Sequence, residues 1–144
     1  GVILNKSIFL GAYGMGQSIN RDVTIDSTNY NYINFGHGGF WLGYILKGNA
    51  AVHPFIGMKL GWGGIAQAQE NDYHRHSDET VENVGINAFV LTPSVELEFN
   101  ITKYFRIAIG GSYQWVTNLN DFIGLSESDL SGPGANVSFR FGWF

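Results

Sequence analysis

Residues 86–115 read INAFVLTPSVELEFNITKYFRIAIGGSYQW, and this stretch decides the fold. Its odd positions run Asn87, Phe89, Leu91, Pro93, Val95, Leu97, Phe99, Ile101; its even positions run Ala88, Val90, Thr92, Ser94, Glu96, Glu98, Asn100. After the break Thr102-Lys103-Tyr104 the alternation resumes, with Phe105, Ile107, Ile109, Gly111, Tyr113 and Trp115 set against Arg106, Ala108, Gly110, Ser112 and Gln114. A period of two means a strand with two unlike faces, and two such runs joined by a short break mean an antiparallel hairpin. One face is apolar with aromatics at its ends, and the other is small and polar with a few charges. Such a strand suits a wall between lipid and a packed polar interior.

The same unit recurs on either side. Residues 1–4 read as the end of a strand, closed by an Asn5-Lys6 turn. A strand at 7–17 follows, then a polar loop at 18–32, a strand at 33–46 and a Lys47-Gly48-Asn49 turn. In 51–65, Val52, Pro54, Ile56, Met58, Leu60 and Trp62 form an apolar face opposite His53, Gly57, Lys59, Gly61 and Gly63. Residues 66–85 and 117–134 read as further polar loops. In the last strand Val137, Phe139, Phe141 and Trp143 oppose Asn136, Ser138, Arg140 and Gly142. No helical periodicity is visible. Pro93 in mid-strand lacks a ladder donor and predicts a bulge or strand end nearby.

Composition agrees with this pattern. The 144 residues fit one domain, 1–144. Charged residues make up 14% of the chain, against about 25% in an ordinary soluble protein. A net charge of -4 argues against nucleic-acid binding. The absence of cysteine rules out disulfides and thiolate metal sites.

Of the 12 acidic residues, all but Glu96 and Glu98 fall in the three long loops. Lys6, Lys47 and Lys103 each occupy one short turn, while Lys59, Arg106 and Arg140 lie on polar faces. The polar-face set Lys59, Glu96, Glu98, Arg106 and Arg140 reads as a self-neutralising interior network, with Glu98 standing opposite Arg106 across the turn. Arg or Lys on a lipid face costs about 2–4 kcal/mol at the bilayer midplane, which explains the lack of charge on the apolar faces. Aromatics near both strand ends suit two membrane-water interfaces: Tyr44, Phe99, Tyr104 and Trp143 by the turns, Trp62, Tyr113 and Trp115 by the loops.

These features predict an all-β, antiparallel, up-and-down transmembrane β-barrel. Short turns at one end and long loops at the other match the periplasmic and extracellular ends of outer-membrane barrels. Six strands and a fragment are countable, whereas bacterial barrels begin at eight, so N-terminal strand sequence is expected to be missing. The rival is a soluble lipocalin-like ligand-binding barrel, with its apolar face inward. The polar faces argue against it, being mostly Gly, Ala, Ser and Thr rather than Lys and Glu.

At three places the chain resembles small Gram-negative outer-membrane β-barrel proteins of the eight-stranded kind, and is most similar to an uncharacterised group of them. These are Gly36-His37-Gly38-Gly39-Phe40-Trp41-Leu42-Gly43-Tyr44, the turn Thr102–Arg106, and the loop Gly124–Pro133 leading to Phe144. The resemblance implies that the barrel-assembly machinery reads the C-terminal aromatic strand. Gly142 and Phe144 fit that signal, with the apolar residues at 137–143 one position out of phase with its commonest form. The expected partners are outer-membrane lipid, that machinery and other outer-membrane proteins in a complex.

No cofactor, metal or catalytic residue is expected. His74-Arg75-His76 with Asp72, Asp78 and Glu79 reads as a solvated loop rather than a metal site. A lipid-modifying barrel enzyme using Ser126, Ser128 or Ser131 with Asp129 and a loop histidine is the other alternative. No nucleophile elbow supports it, and turn chemistry explains the serines. His37 and His53 read as satisfied core residues. The Gly36–Gly39 and Gly61–Gly64 runs read as places where strands bend and large side chains fit.

Overall fold

The computed structural model describes the backbone of residues 1–25, 28–68, 88–118 and 126–144, and side chains over the same residues except 19–33 and 65–68. The strands are β1 (Val2–Leu4), β2 (Ile8–Ile25), β3 (Thr28–Ile45), β4 (Val52–Ala68), β5 (Ala88–Thr102), β6 (Phe105–Thr117) and β7 (Gly132–Phe141), with one short helix, α1 (Glu127–Leu130). They form a single seven-stranded sheet in the order β1-β2-β3-β4-β5-β6-β7, every neighbour antiparallel. This is an up-and-down meander. Among the described residues no ladder joins β7 to β1.

Turn chemistry fixes the short connections. Asn5 and Lys6 take φ values of 49° and 57°, and the Ser7 amide donates to the Leu4 carbonyl at 3.1 Å. Two successive positive φ values match the twist of the flanking strands, which is why such turns close tight hairpins. Lys47 (φ 55°) opens the β3–β4 turn, where the Ala50 amide returns to the Lys47 carbonyl at 2.8 Å. Asn100 then ties that turn to β5, its Nδ2 donating to the Gly48 and Ala50 carbonyls at 3.1 and 2.7 Å.

Four expectations need correction. Most of the segment expected as a loop at 18–32 is strand: β2 runs on to Ile25 and β3 begins at Thr28. Backbone ladder bonds form there whatever the side chains, so polar composition alone did not mark a loop. The expected loop at 117–134 contains α1 and already enters β7 at Gly132. Glu98 does not stand opposite Arg106; its partner is Ala108, and Arg106 faces Asn100, with an irregularity between Asn100 and Thr102. Finally, Pro93 produces no bulge. The β5–β6 pairing skips Thr92 and Pro93 and resumes in the same register, as a missing N–H requires.

The sheet is curled, with one face concave. Gln114 Nε2 on β6 donates to Gln17 Oε1 on β2 at 3.4 Å, although three strands, β3, β4 and β5, lie between them in the sheet. The Arg140 guanidinium on β7 lies 4.4 Å from the Phe55 ring centroid on β4 and 5.3 Å from that of Trp41 on β3. Glycines make room for such rings. Phe55 is fully buried, and a Cβ at Gly43 or Gly57 would run into it. A Cβ at Gly61 would meet the Tyr13 hydroxyl in the same way.

Candidate functional site

The concave face carries the ionic residues. Because Cβ atoms alternate along a strand, the even positions of β5, β6 and β7 and the odd positions of β3 and β4 all project to this side. Glu96, Glu98 and Arg106 are buried there, with Glu98 0% exposed. The convex face is their inverse: Val95 is 62% exposed, Ile109 54% and Phe139 62%.

Four of the five expected network residues come together. Glu98 Oε2 accepts from Arg106 Nη1 at 3.3 Å, and Arg140 pairs with both Glu96 and Glu98. Glu98 therefore meets Arg106 as a diagonal neighbour, across one step of the ladder. Asn136 Nδ2 completes the shell of Glu96 by donating to its Oε1 at 3.2 Å. Lys59 is not part of this cluster, and no carboxylate lies within ion-pairing distance of it among the described residues.

The network includes one residue that sequence reasoning left out. His53 is buried directly opposite Glu98, with Nε2 2.7 Å from Glu98 Oε2 and Nδ1 3.2 Å from the Ala50 carbonyl. The signal was its place on the polar face of its strand, but its partner could not be read without the β4–β5 register. His37 is also partnered, through the Tyr13 hydroxyl at 3.2 Å and a stacked Phe35 ring at 5.3 Å.

The aromatic positions fall on the outside and at the rims. Tyr44, Trp62, Tyr104, Tyr113, Trp115 and Trp143 are exposed, and Phe99 is half-buried. Trp62 meets Phe89 and Tyr113 meets Trp115 on the loop side, while Tyr104 meets Trp143 on the turn side. Gly142 and Phe144 lie just past β7. The Gly142 amide donates to the Tyr104 carbonyl at 3.1 Å, and the Phe144 ring sits 4.2 Å from the Arg106 guanidinium. The terminal ring thus faces the interior network at the turn end.

The serine loop is occupied by capping. Asp129 Oδ2 accepts from the Ser126 amide and hydroxyl at 3.0 and 2.9 Å, and Ser131 Oγ accepts from the Val116 amide at 2.9 Å. Ser126 and Ser128 share a 2.7 Å hydroxyl contact. Asp72, His74, Arg75, His76, Asp78 and Glu79 lie outside the described residues. Comparison of the chain with protein-family models, curated proteins and solved structures finds no match.

Proposed function

We propose that this chain forms the wall of an integral outer-membrane β-barrel, with its long loops extracellular and its short turns periplasmic. Its role is structural or interactive: an accessory subunit of a larger outer-membrane assembly, or a protein that presents its loops at the surface. One observation carries the reading. The convex face is an apolar surface containing Val52, Ile56, Val95, Leu97, Ile109, Val137 and Phe139, whereas Glu96, Glu98 and Arg106 are buried on the concave face and Lys59 and Arg140 half-buried there. In water so large an apolar face is a liability, since soluble monomers rarely expose contiguous patches beyond a few hundred Å². In lipid it is the required surface, and the girdle of rim aromatics belongs with it.

Closure is part of the proposal. A sheet edge inside lipid leaves backbone N–H and C=O groups unpaired, at several kcal/mol each. β2 pairs with β1 only over Ile8–Leu10, and β1 and β7 line one opening, together with Phe9 and Trp41. A further strand between β2 and β7, from this chain or a neighbour, completes the eight-stranded wall that this reading requires. Such a barrel is filled by its own side chains and is not a pore.

The test is reconstitution into vesicles of brominated phosphatidylcholine. The outward Trp62, Trp115 and Trp143 should be strongly quenched, and the protein should migrate differently in gels when unheated. A chain that stays soluble without detergent, with tryptophan emission indifferent to the bromines, ends this reading. A stoichiometric partner on purification in mild detergent would favour the subunit role over simple loop presentation.

A further inference from the structure

On the loop side of the ion-pair cluster the concave face encloses a cavity of about 310 Å³, whose lining includes Lys59, Thr92, Ser94, Glu96, Gln114 and Asn136. Ligand pockets begin at about this size, so the space suits a small molecule. Lys59 stands on the inner face between Trp41 and Thr92, which are its partners on the two neighbouring strands. Its Nζ rests 3.8 Å from Met15 Sδ and 4.9 Å from the Trp41 ring centroid. Glu96 shares the cavity but is already engaged, by Asn136 at one oxygen and Arg140 at the other. Asp129 also lines the cavity, with its Oδ2 accepting from the Ser126 amide and hydroxyl, so both lining carboxylates are bonded elsewhere, while no carboxylate lies within ion-pairing distance of Lys59 among the described residues.

The hydroxyls beside Lys59 are also unfilled. Thr92 and Ser94 are 4% and 5% exposed, and neither Thr92 Oγ1 nor Ser94 Oγ has a hydrogen-bond partner. The Trp41 indole N–H is unpartnered as well. A buried polar group without a partner costs about 1–3 kcal/mol, so two such hydroxyls beside a cation that no carboxylate touches describe a site for a group that accepts hydrogen bonds and carries one negative charge. Around this centre Gln17, Ser112 and Gln114 offer both donors and acceptors.

We propose that this cavity binds a small hydroxylated monocarboxylate, with its carboxylate on Lys59 and the hydroxyls of Thr92 and Ser94. The site lies on the inner face and does not depend on what bathes the outer one. Calorimetric titration of the detergent-purified protein with sodium glucuronate, and separately with glucose, tests it. Glucuronate should bind saturably at one site, and glucose at least about tenfold more weakly, the loss expected from one charge-assisted contact. Lys59→Met, which breaks no ion pair, should weaken glucuronate binding at least about tenfold with the sheet signal in circular dichroism unchanged. Ser94→Ala should weaken it by roughly threefold to tenfold, and carries the test alone if Lys59→Met does not fold. No heat with glucuronate, equal affinity for glucose, or undiminished binding by the folded variants overturns the proposal.

Discussion

The two halves of the concave face are built from the same residue types and differ in how their charges are paired. On the turn side Glu98 receives His53 and Arg106 at one oxygen and Arg140 at the other, Asn100 ties down the neighbouring turn, and Phe144 covers Arg106. On the loop side no carboxylate lies within ion-pairing distance of Lys59 among the described residues, and unpartnered polar atoms occur on both sides, at Thr92, Ser94 and Trp41 here and at Asn100, Arg106 and Arg140 there. The first half is finished as a structural core, with its charges neutralised within the chain. The second holds a cation with no carboxylate against it, which is what separates a binding cavity from a support.

Substitutions should expose that contrast through their size and sign. Glu98→Ala strands the Arg106 guanidinium and the buried His53 imidazole and leaves Arg140 with Glu96 alone, so it should lower unfolding stability by about 3–5 kcal/mol, measured by urea titration of the protein folded into vesicles. A loss under about 1 kcal/mol would mean that water reaches the turn-side cluster and screens it.

Val95→Arg sits next in sequence to Glu96 but on the opposite face. In the same vesicles it should cost about 2–4 kcal/mol, whereas in a water-soluble protein an exposed Val→Arg change would be nearly silent. The smallest effect should have the opposite sign. Thr92→Val removes an unpartnered hydroxyl at almost constant shape, and should leave stability unchanged or raise it by up to about 1 kcal/mol. A clear loss at position 92 would reveal a hidden partner and erase the difference between the halves.

The sequence made the strands legible wherever their two faces meet unlike surroundings. Phe89 to Ile101 alternates without exception against Ala88 to Asn100, and the structure separates these two sets onto opposite faces. Where that contrast fades, the reading faded with it. The stretch Ser18 to Ile25 is polar at most positions, so its membership in β2 left no periodic trace. α1 spans four residues, barely one helical turn, and a period of 3.6 cannot be recognised over that length.

Site residues followed the same division. That Glu96, Glu98, Arg106 and Arg140 share a face was readable from parity alone. That Lys59 stands apart from them, and that His53 joins them, was not. Both depend on the register between β4 and β5, which lies across the long connection at 69–87 and is fixed in three dimensions only.

The interior ion pairs also impose an order of events. Glu96 and Glu98 arrive on β5, but Arg140, which binds both, arrives only with the last strand. Until then Glu98 has His53 and Arg106 beside it but Glu96 has no guanidinium, and moving these carboxylates away from water is opposed by several kcal/mol. The hairpins are thus held back from burying their polar sides while the chain is unfinished, and the final strand brings the cation that lets both carboxylates be buried.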